Sequence, residues 1–251
     1  MADRDVFPYV DSGDSDAAWG QKIQGRQYWD ERYAEDFANK RGAFEWYVDF
    51  ESLSALLVTI VKKRHRVLEV GCGNSTLGRD LRAAGYESVT CIDFSPVVIS
   101  QQESGLGDGD GLKFITMDAS HMSFENETFE CVLDKATLDA MLSGNLATAK
   151  KLVAEVCRVL CDRGTYVIVS HVSPESDNGQ KMINNVLVAC LDWEMCQWRI
   201  DIHSVWVDND DEISGPHVYC VQKFVRPRTR NISRGVLLGG VNNIVIKQHF
   251  H

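Results

Sequence analysis

Two glycines one residue apart stand directly behind a short apolar run, and acidic residues follow the next such runs. Gly71 and Gly73 come after Arg66–Val70, and Asp93 stands 22 positions beyond Gly71. Glycines let the chain turn sharply and let a ligand approach the backbone closely. An acid about 20 residues later is the usual partner of ribose hydroxyls bound over such a turn. Together with Asp118, which follows a third apolar run, these residues predict a site for a ribose-bearing ligand.

The residues around the glycine turn favour a ligand that has a ribose but no phosphate. A dinucleotide fingerprint, G-x-G-x-x-G, requires a third glycine where this chain has Thr76. Glu69 precedes the turn, and its negative charge would repel a pyrophosphate. S-adenosylmethionine (SAM) meets both conditions, and an NAD-dependent dehydrogenase stays open as an alternative. Taken singly, each acid could equally well cap the turn that follows it.

Such a site needs a sheet whose strand ends lie side by side, and the sequence predicts one. Strand-like apolar runs alternate with helical patterns, which implies a parallel sheet covered by helices on both faces. We therefore predict an α/β fold with a doubly wound, mostly parallel, seven-stranded Rossmann-like sheet and an antiparallel C-terminal hairpin. The predicted strands are Arg66–Val70, Val89–Ile92, Lys113–Met117, Glu130–Leu133, Thr165–Ser170 and, in the hairpin, Trp193–His203 and His217–Gln222. The predicted helices are Ser75–Ala84, Pro96–Glu103 and Ala147–Leu160.

Charge is unevenly spread along the chain. The formal net charge is −10, but residues 224–251 hold five basic side chains and no acid, which leaves −15 on residues 1–223. A body this acidic repels phosphate backbones and favours cationic partners, so we do not expect a nucleic-acid partner. The apolar share of 44% is enough to bury a sizeable core.

Composition shifts divide the chain into three parts. We predict a disordered acidic lead over residues 1–20, one domain over residues 21–223, and a mobile basic tail over residues 224–251. No run approaches the roughly 18 apolar residues of a membrane helix. The eight cysteines show no CxxC pair and no zinc spacing, which is typical of reduced core cysteines. The sequence thus predicts a cytoplasmic protein with no metal and no membrane partner.

Several segments resemble the motifs of class I SAM-dependent methyltransferases: VLEVGCGNS, CIDFSPVVI, MDASHM and FECVLDKATLDAML. They are most similar to a eukaryotic group with a GCGNS turn and an LDKGTLDA-like fourth strand, whose members methylate lysines of translation elongation factor 1-alpha. Tyr28–Tyr33 and Phe44–Tyr47 are similar to the group's YW-x-x-RY and (F/Y)-(E/D)-W-(Y/F) segments. The resemblance covers about residues 28–170 and weakens through residues 193–223. Ala136 is a departure, because the group usually has glycine there, and we expect it to be tolerated.

The resemblance implies cofactor-binding roles for ten residues: Gly71 and Gly73 at the methionine part of SAM, Asp93 at the ribose, Phe94 against the adenine, Asp118 and Ala119 at the adenine edge, Lys135 beside the cofactor, and Trp29, Tyr33 and Trp46 closing the site. Aromatic faces can hold adenine or attract the sulfonium. Trp29 and Tyr33, four residues apart, could instead pin a helix to the core. Because the aromatic residues precede the first strand, we predict that residues 21–50 form a lid.

The resemblance further implies that the methyl acceptor is a lysine in a basic protein segment, with elongation factor 1-alpha as the candidate. We name no catalytic residue, although Asp134 could position the amine. His121 and His171 lack metal spacing and are interpreted as loop residues.

Two other readings of the same scaffold stay open. One is a small-molecule methyltransferase, which would use the same cofactor site. The other is a non-catalytic SAM-binding scaffold, against which the intact glycine turn and its acids argue. Signatures of nucleic-acid methylases, such as (N/D/S)-PP-(Y/F) after the fourth strand or a Pro-Cys nucleophile, are missing.

Overall fold

An eight-stranded mixed sheet forms the centre of the protein. The computed structural model describes residues 25–104, 106, 111–192, 195–205, 208–209, 212–213, 215–226 and 246–250. The strands are β1 (Arg66–Val70), β2 (Ser88–Asp93), β3 (Leu112–Thr116), β4 (Phe129–Lys135), β5 (Leu160–Ser170), β6 (Cys196–Ser204), β7 (Asp208–Asn209), β8 (Glu212–Ile213), β9 (His217–Val225) and β10 (Ile246–Phe250). β7 and β8 form a separate two-stranded ribbon, and the other eight form the sheet.

The sheet has the doubly wound, mostly parallel topology that the sequence predicts. Its strand order is β10-β6-β9-β5-β4-β1-β2-β3. β1 pairs in parallel with β2 on one side and with β4 on the other, so Val70 lies opposite both Ile92 and Asp134. The order of the strands reverses between β1 and β4. At this switch point the loops after the strands diverge and leave room for a ligand.

Helices cover the sheet, and several of them begin at residues whose side chains cap them. They are α1 (Arg26–Ala38), α2 (Phe50–Ile60), α3 (Leu77–Ala83), α4 (Pro96–Glu103), α5 (Thr137–Gly144), α6 (Leu146–Val159) and α7 (Asp177–Lys181), which continues as a π-helical segment over Met182–Val188. The Asp49 carboxylate accepts a hydrogen bond from the Ser52 amide and caps α2. Ser95 caps α4 through the Val98 amide, and Pro96 occupies the first helical position, as predicted.

The core lies on both faces of the sheet. Successive strand residues point to opposite faces, so Val67 and Leu68 of β1 belong to different apolar clusters, and both are fully buried. One cluster packs against α6 and the π-helical segment. The other packs against α2, α3 and α4. This double burial explains why the parallel strands read as continuous apolar runs.

The C-terminal hairpin is confirmed, and a further strand follows it. β6 and β9 pair antiparallel, with His203 opposite Val218, and β9 joins them to β5. Within the region predicted as a mobile tail, Ile246–Phe250 instead pairs in parallel with β6. The open edge of β6 offers backbone groups with which a further strand can pair, and a charge count does not reveal this. The predicted acidic lead, residues 1–20, lies outside the described residues.

Two further expectations can be compared with the described residues. No helix among them combines the length and the apolar character that crossing a bilayer requires. All eight cysteines are free thiols, and six of them are buried, as expected of core cysteines.

Candidate functional site

A cleft of about 1090 Å³, counted with its open mouth, lies at the carboxyl ends of β1, β2 and β4. This edge, beside the reversal of strand order, is where open α/β sheets bind ligands. All ten residues predicted to contact a cofactor line it: Trp29, Tyr33, Trp46, Gly71, Gly73, Asp93, Phe94, Asp118, Ala119 and Lys135. The cleft therefore brings together residues that are spread over more than 100 positions of the sequence.

The turn after β1 requires its two glycines. Gly71 and Gly73 have φ values of +64° and +50°, in the left-handed region. A Cβ on Gly71 would lie 2.1 Å from the Thr137 hydroxyl, and one on Gly73 would lie 2.8 Å from the Tyr33 hydroxyl. Thr137 in turn donates to the Val70 carbonyl at 2.9 Å, which fastens α5 to the end of β1. The glycines thus let α5 and Tyr33 pack directly on the turn.

A buried glutamine holds the same turn from the other side. The Gln102 amide on α4 donates to the carbonyls of Gly73, at 2.9 Å, and Ser75, at 2.8 Å. Sequence reasoning missed this residue, because a single glutamine on a helix carries no signal of its partner.

Asp93, at the end of β2, supports the turn and faces the cleft. Its two carboxylate oxygens accept hydrogen bonds from the amides of Gly73, at 3.0 Å, and Ser95, at 2.9 Å. Burial raises the pKa of Asp93 to about 6, although these amides work in the opposite direction. Each carboxylate oxygen can accept more than one hydrogen bond, so both remain able to receive ribose hydroxyls.

The β3 side of the cleft combines an apolar wall with a polar edge. The Asp118 carboxylate accepts from the Ser120 amide and hydroxyl, both at 2.8 Å. Burial would raise the pKa of Asp118, but the hydrogen bonds from Ser120 outweigh it and lower that pKa. Met117, Ser120, Met141 and Thr148 are among the lining residues that were not predicted. Such a surface suits a flat heterocycle with polar edges.

Aromatic residues of the N-terminal segment close one side of the cleft. Trp29 and Tyr33 stack on α1 with ring centroids 5.7 Å apart. The Arg32 guanidinium lies over the rings of Trp29, at 5.5 Å, and Trp46, at 5.3 Å. Tyr33 is buried and belongs to the core, so it both pins α1 and lines the cleft.

An ion pair fastens this segment to the sheet. Lys135, at the end of β4, is buried and donates to the Glu45 carboxylate. Glu45 also accepts from the hydroxyls of Ser75, at 2.8 Å, and Thr76, at 3.0 Å. Burial would raise the pKa of Glu45, but the Lys135 ammonium and these hydrogen bonds lower it. We call this group of contacts the Glu45 latch. The sequence resemblance covered the segment that contains Glu45, but it did not reveal that Glu45 contacts Lys135, Ser75 and Thr76.

Asp134, named as a candidate for positioning the amine, lies beneath the start of α5 and outside the lining of the cleft. Its carboxylate accepts from the amides of Thr137 and Leu138, both at 3.0 Å, and from the Tyr166 hydroxyl at 2.8 Å. It is buried beneath α5 and is not among the residues that line the cleft. Burial raises its pKa to about 7. From two positions before Ala136, Asp134 thus accepts from the first two amides of α5, a role that the sequence did not reveal.

Beyond the end of β5, three polar side chains meet around a buried carboxylate. Asp139 of α5 accepts from the Tyr47 hydroxyl at 2.9 Å and from the Ser170 hydroxyl at 2.7 Å. His171 Nδ1 lies 3.0 Å from Asp139 and 3.0 Å from the Tyr47 oxygen. The sequence predicted a loop residue at this position. His171 does directly follow β5, and the structure adds its contact with Asp139. We call Tyr47, Asp139 and His171 the histidine cluster.

The chemistry of the cleft fits SAM better than a dinucleotide. Among the lining residues that the structure describes, Lys135 alone is basic, and its ammonium is engaged by Glu45. A pyrophosphate would instead meet Glu69 and Asp93, whereas a sulfonium cation is attracted to them. No group of three His, Cys, Asp or Glu within the described part of the chain could hold a metal ion.

The family profile described as "Methyltransferase domain" matches residues 68–168. This range runs from β1 to β5 and contains the glycine turn, Asp93, Asp118 and Lys135. Residues 68–168 of this chain form a methyltransferase domain. SAM, the cofactor expected from the glycine turn and its acids, is the cofactor of this domain.

Curated relatives of the methyltransferase domain carry names that mention one substrate protein. The chain is 35% identical over 208 residues to the "eEF1A lysine and N-terminal methyltransferase" of Xenopus laevis, covering 80% of this chain and 29% of that protein. It is 35% identical over 158 residues to the "EEF1A lysine methyltransferase 4" of Mus musculus, covering 59% of this chain and 61% of that protein. This chain thus spans less than two thirds of either relative.

A solved structure supports the fold of the methyltransferase domain. A SAM-dependent methyltransferase from Methanosarcina mazei superimposes with a TM-score of 0.53 and is 17% identical, covering 68% of this chain and 97% of that one. At this identity the likeness concerns the fold alone. The seven-stranded methyltransferase sheet predicted from the sequence is confirmed, with β10 as an addition to it.

Proposed function

We propose that this chain is a SAM-dependent protein-lysine N-methyltransferase that acts on translation elongation factor 1-alpha. The observation that carries the proposal is the cleft, in which a glycine turn, Asp93 and an aromatic N-terminal wall surround one volume. The names of the two relatives support the substrate class, since both mention lysine methylation of this factor.

In this proposal each predicted site residue has a part in holding SAM. Gly71 and Gly73 present backbone to the methionine part, and the Asp93 carboxylate accepts the ribose hydroxyls. The adenine lies against Phe94, with Asp118 and Ala119 at its edge. Trp29, Tyr33 and Trp46 close the site, and Lys135 contributes indirectly by holding the Glu45 latch.

Methyl transfer requires that the acceptor nitrogen, the methyl group and the sulfur lie in line and that water is excluded. SAM supplies a methyl group on a sulfonium, which a neutral amine displaces in line. Bringing a lysine from its usual pKa of about 10.4 to the neutral form at pH 7 costs about 4–5 kcal/mol. Desolvation beside a cationic cofactor supplies part of this cost. The N-terminal segment, residues 21–50, serves as the lid that excludes water.

Charge and location fit a cationic protein substrate. The net charge of −15 on residues 1–223 attracts a basic lysine-bearing segment and disfavours nucleic acid. Elongation factor 1-alpha is a protein of the translating cytoplasm, so the proposal places this enzyme in the same compartment.

Two measurements test the proposal. Calorimetry should show micromolar binding of SAM and of its demethylated product, S-adenosylhomocysteine, and much weaker binding of NAD. Mass spectrometry of elongation factor 1-alpha from cells lacking this protein should show the loss of one methyl mark, on a lysine rather than on the N-terminal amine. An unchanged methylation pattern combined with an accumulating unmethylated metabolite would instead establish a small-molecule methyltransferase. SAM binding without transfer to any acceptor would indicate a scaffold.

A further inference from the structure

The histidine cluster lies at the β5 side of the sheet's carboxyl edge. Along the carboxyl edge of the sheet the strands follow the order β3, β2, β1, β4, β5. The predicted adenine and ribose contacts lie at β3 and β2, and the glycine turn follows at β1. His171 directly follows β5, two strands beyond the turn, which is roughly 10 Å away at a spacing of about 4.8 Å per strand. The β4–β5 side is therefore left for the acceptor.

The histidine cluster is connected to the wall of the cleft through its own neighbours in sequence. Tyr47 follows Trp46, and their rings lie 6.3 Å apart. Asp139 stands on α5 between Thr137 and Ala140, both of which line the cleft. The cluster thus borders the cleft without being part of the cofactor surface.

The hydrogen bonds of the cluster fix the tautomer of His171. The Asp139 side chain is fully buried and accepts from Nδ1 at 3.0 Å, so Nδ1 carries the ring proton. Nε2 is then the nitrogen that accepts a proton. About half of the His171 side chain is exposed, so solvent or a substrate can reach the ring. An imidazole oriented by a buried carboxylate is a common arrangement for a proton acceptor.

A left-handed backbone conformation positions one member of the cluster. Tyr47 has φ +64°, a left-handed conformation that a bulky non-glycine residue rarely adopts. This conformation lets Trp46 line the cleft while the adjacent Tyr47 hydroxyl reaches Asp139 at 2.9 Å. Strain of this kind is concentrated at functional sites.

We propose that His171, oriented by Asp139 and Tyr47, accepts the proton that the acceptor ammonium must lose before methyl transfer. This inference rests on the proposed function. The N–H bond of the ammonium breaks, its electron pair stays on the acceptor nitrogen, and the proton moves to His171 Nε2. The imidazolium then releases the proton to solvent from its exposed side. The neutral acceptor nitrogen is left ready for transfer.

The charged surroundings of His171 support this direction of proton flow. The hydrogen bond to Asp139 raises the pKa of His171, whereas burial works against it. Asp139 lies on α5 and Tyr47 on the segment before α2. Asp134 of β4 helps to raise the pKa of Tyr47, and Asp139 helps to raise the pKa of Tyr219 on β9. Asp139 also raises the pKa of Tyr47, after burial, so that its hydroxyl stays protonated and does not compete as a base.

The test combines activity with a readout that needs no turnover. In His171→Gln, kcat/KM with elongation factor 1-alpha should fall about a hundredfold at pH 7 and recover towards the wild-type value as the pH approaches about 10.4, where about half of the acceptor amine is neutral without a base. SAM affinity should not change. The matched control is His65→Gln, which changes a histidine at the opposite end of β1 and should leave the pH profile unaltered. An unchanged pH profile in His171→Gln would overturn the proposal.

NMR of the protein without cofactor gives the second readout. The pKa of the His171 ring should fall in Asp139→Asn, because the negative charge of Asp139 that stabilises the protonated ring is removed. With S-adenosylhomocysteine present, n-butylamine should shift the His171 ring signals and leave those of His65 in place. If the wild type transfers no methyl group to the elongation factor, the proposed function fails, and the butylamine titration still decides the inference. Ring signals that do not respond to the amine would refute it.

Discussion

Two buried carboxyl groups at the glycine turn have pKa values well above those usual for aspartate and glutamate. Burial raises the pKa of Asp93 to about 6 and that of Glu69 to about 7, the latter against the opposing charge of Lys135. Both groups face the cleft. A cationic ligand with ribose hydroxyls prefers the ionised carboxylates, so its binding is coupled to their loss of protons.

SAM affinity should therefore rise with pH. At pH 5, one unit below the pKa of Asp93, about a tenth of this carboxyl group is ionised in the unliganded protein. We expect the dissociation constant for SAM to be about tenfold larger at pH 5 than at pH 8, and larger still if Glu69 contributes. Calorimetric titrations between pH 5 and pH 8 measure this change in the dissociation constant. Affinity that is constant from pH 5 to pH 8 would show that neither carboxylate contacts the ligand.

Replacing Asp93 by its neutral isostere tests the ribose contact directly. Asp93→Ala would remove the acceptor for both the Gly73 and the Ser95 amides, whereas Asp93→Asn keeps a carbonyl oxygen for one of them and is the cleaner variant. At pH 8 we expect Asp93→Asn to weaken SAM binding by about tenfold or more, or about 1.4 kcal/mol, because charge-assisted hydrogen bonds become neutral ones. A folded variant that retains wild-type affinity would place the ribose elsewhere.

Individual site residues could be predicted where local spacing fixes their position. Gly71, Gly73 and Asp93 follow strands, and strand ends meet at one edge of a parallel sheet. Glu45 and Gln102 could not be predicted in this way, because their partners Lys135 and Gly73 are distant in sequence and meet them only after folding. The same holds for the contact between His171 and Asp139.

Among the secondary-structure elements, α5 is preceded by a residue in a strained backbone conformation, and a single substitution can remove that strain. Ala136 has φ +72° and immediately precedes the helix. Ala136→Gly should stabilise the domain by about 0.5–1 kcal/mol, because glycine adopts this conformation without strain. Ala154→Gly, on the exposed side of α6, is the matched control and should destabilise it by about 1 kcal/mol. Denaturant unfolding measures both, and a loss of stability in Ala136→Gly would contradict this account.

The N-terminal segment should open when the Glu45 latch is weakened. Glu45→Gln removes the charge that binds Lys135 and leaves one carbonyl oxygen in place of the two carboxylate oxygens to which Ser75 and Thr76 donate. Hydrogen exchange over residues 28–47 should be faster in this variant and slower after SAM is added to the wild type. Exchange over β4 should not change. Exchange at residues 28–47 that is insensitive to both SAM and the substitution would show that the segment is fixed packing and not a lid.

Elements with strong local patterns were predictable, and those defined by tertiary contacts were not. α4 was predicted from Ser95 and Pro96, which signal its start, and the structure agrees. α5 begins after a left-handed alanine, for which no sequence rule predicts a helix start. β10 depends on the open edge of β6, and only the assembled sheet reveals that edge.

For the molecule as a whole, buried acids determine how stability responds to pH. Three carboxyl groups have folded pKa values well above their unfolded values of about 4: Asp93 at about 6, and Glu69 and Asp134 at about 7. A raised folded pKa means that the folded state holds protons that the unfolded state has lost. The associated stability is complete below about pH 4 and is lost as the pH rises through 6 to 7.

The unliganded domain should consequently have a higher Tm at pH 6 than at pH 8. His171, whose pKa is also raised, contributes with the same sign. His65 and His217, whose pKa values burial lowers, contribute with the opposite sign but are only partly buried. Calorimetric scans without SAM measure the difference, and saturating SAM should reduce it. A Tm that increases from pH 6 to pH 8 would mean that these carboxyl groups are solvated.

The reactivity of the free cysteines can show which parts of this protein open locally. Burial raises the pKa of all eight thiols, including the partly exposed Cys161 and Cys190. Alkylating reagents attack the thiolate, so the native domain should react slowly at neutral pH. Each thiol becomes reactive when the element that buries it opens. The order in which iodoacetamide labels the cysteines therefore records, without any added probe, the order in which the two faces of the sheet come apart.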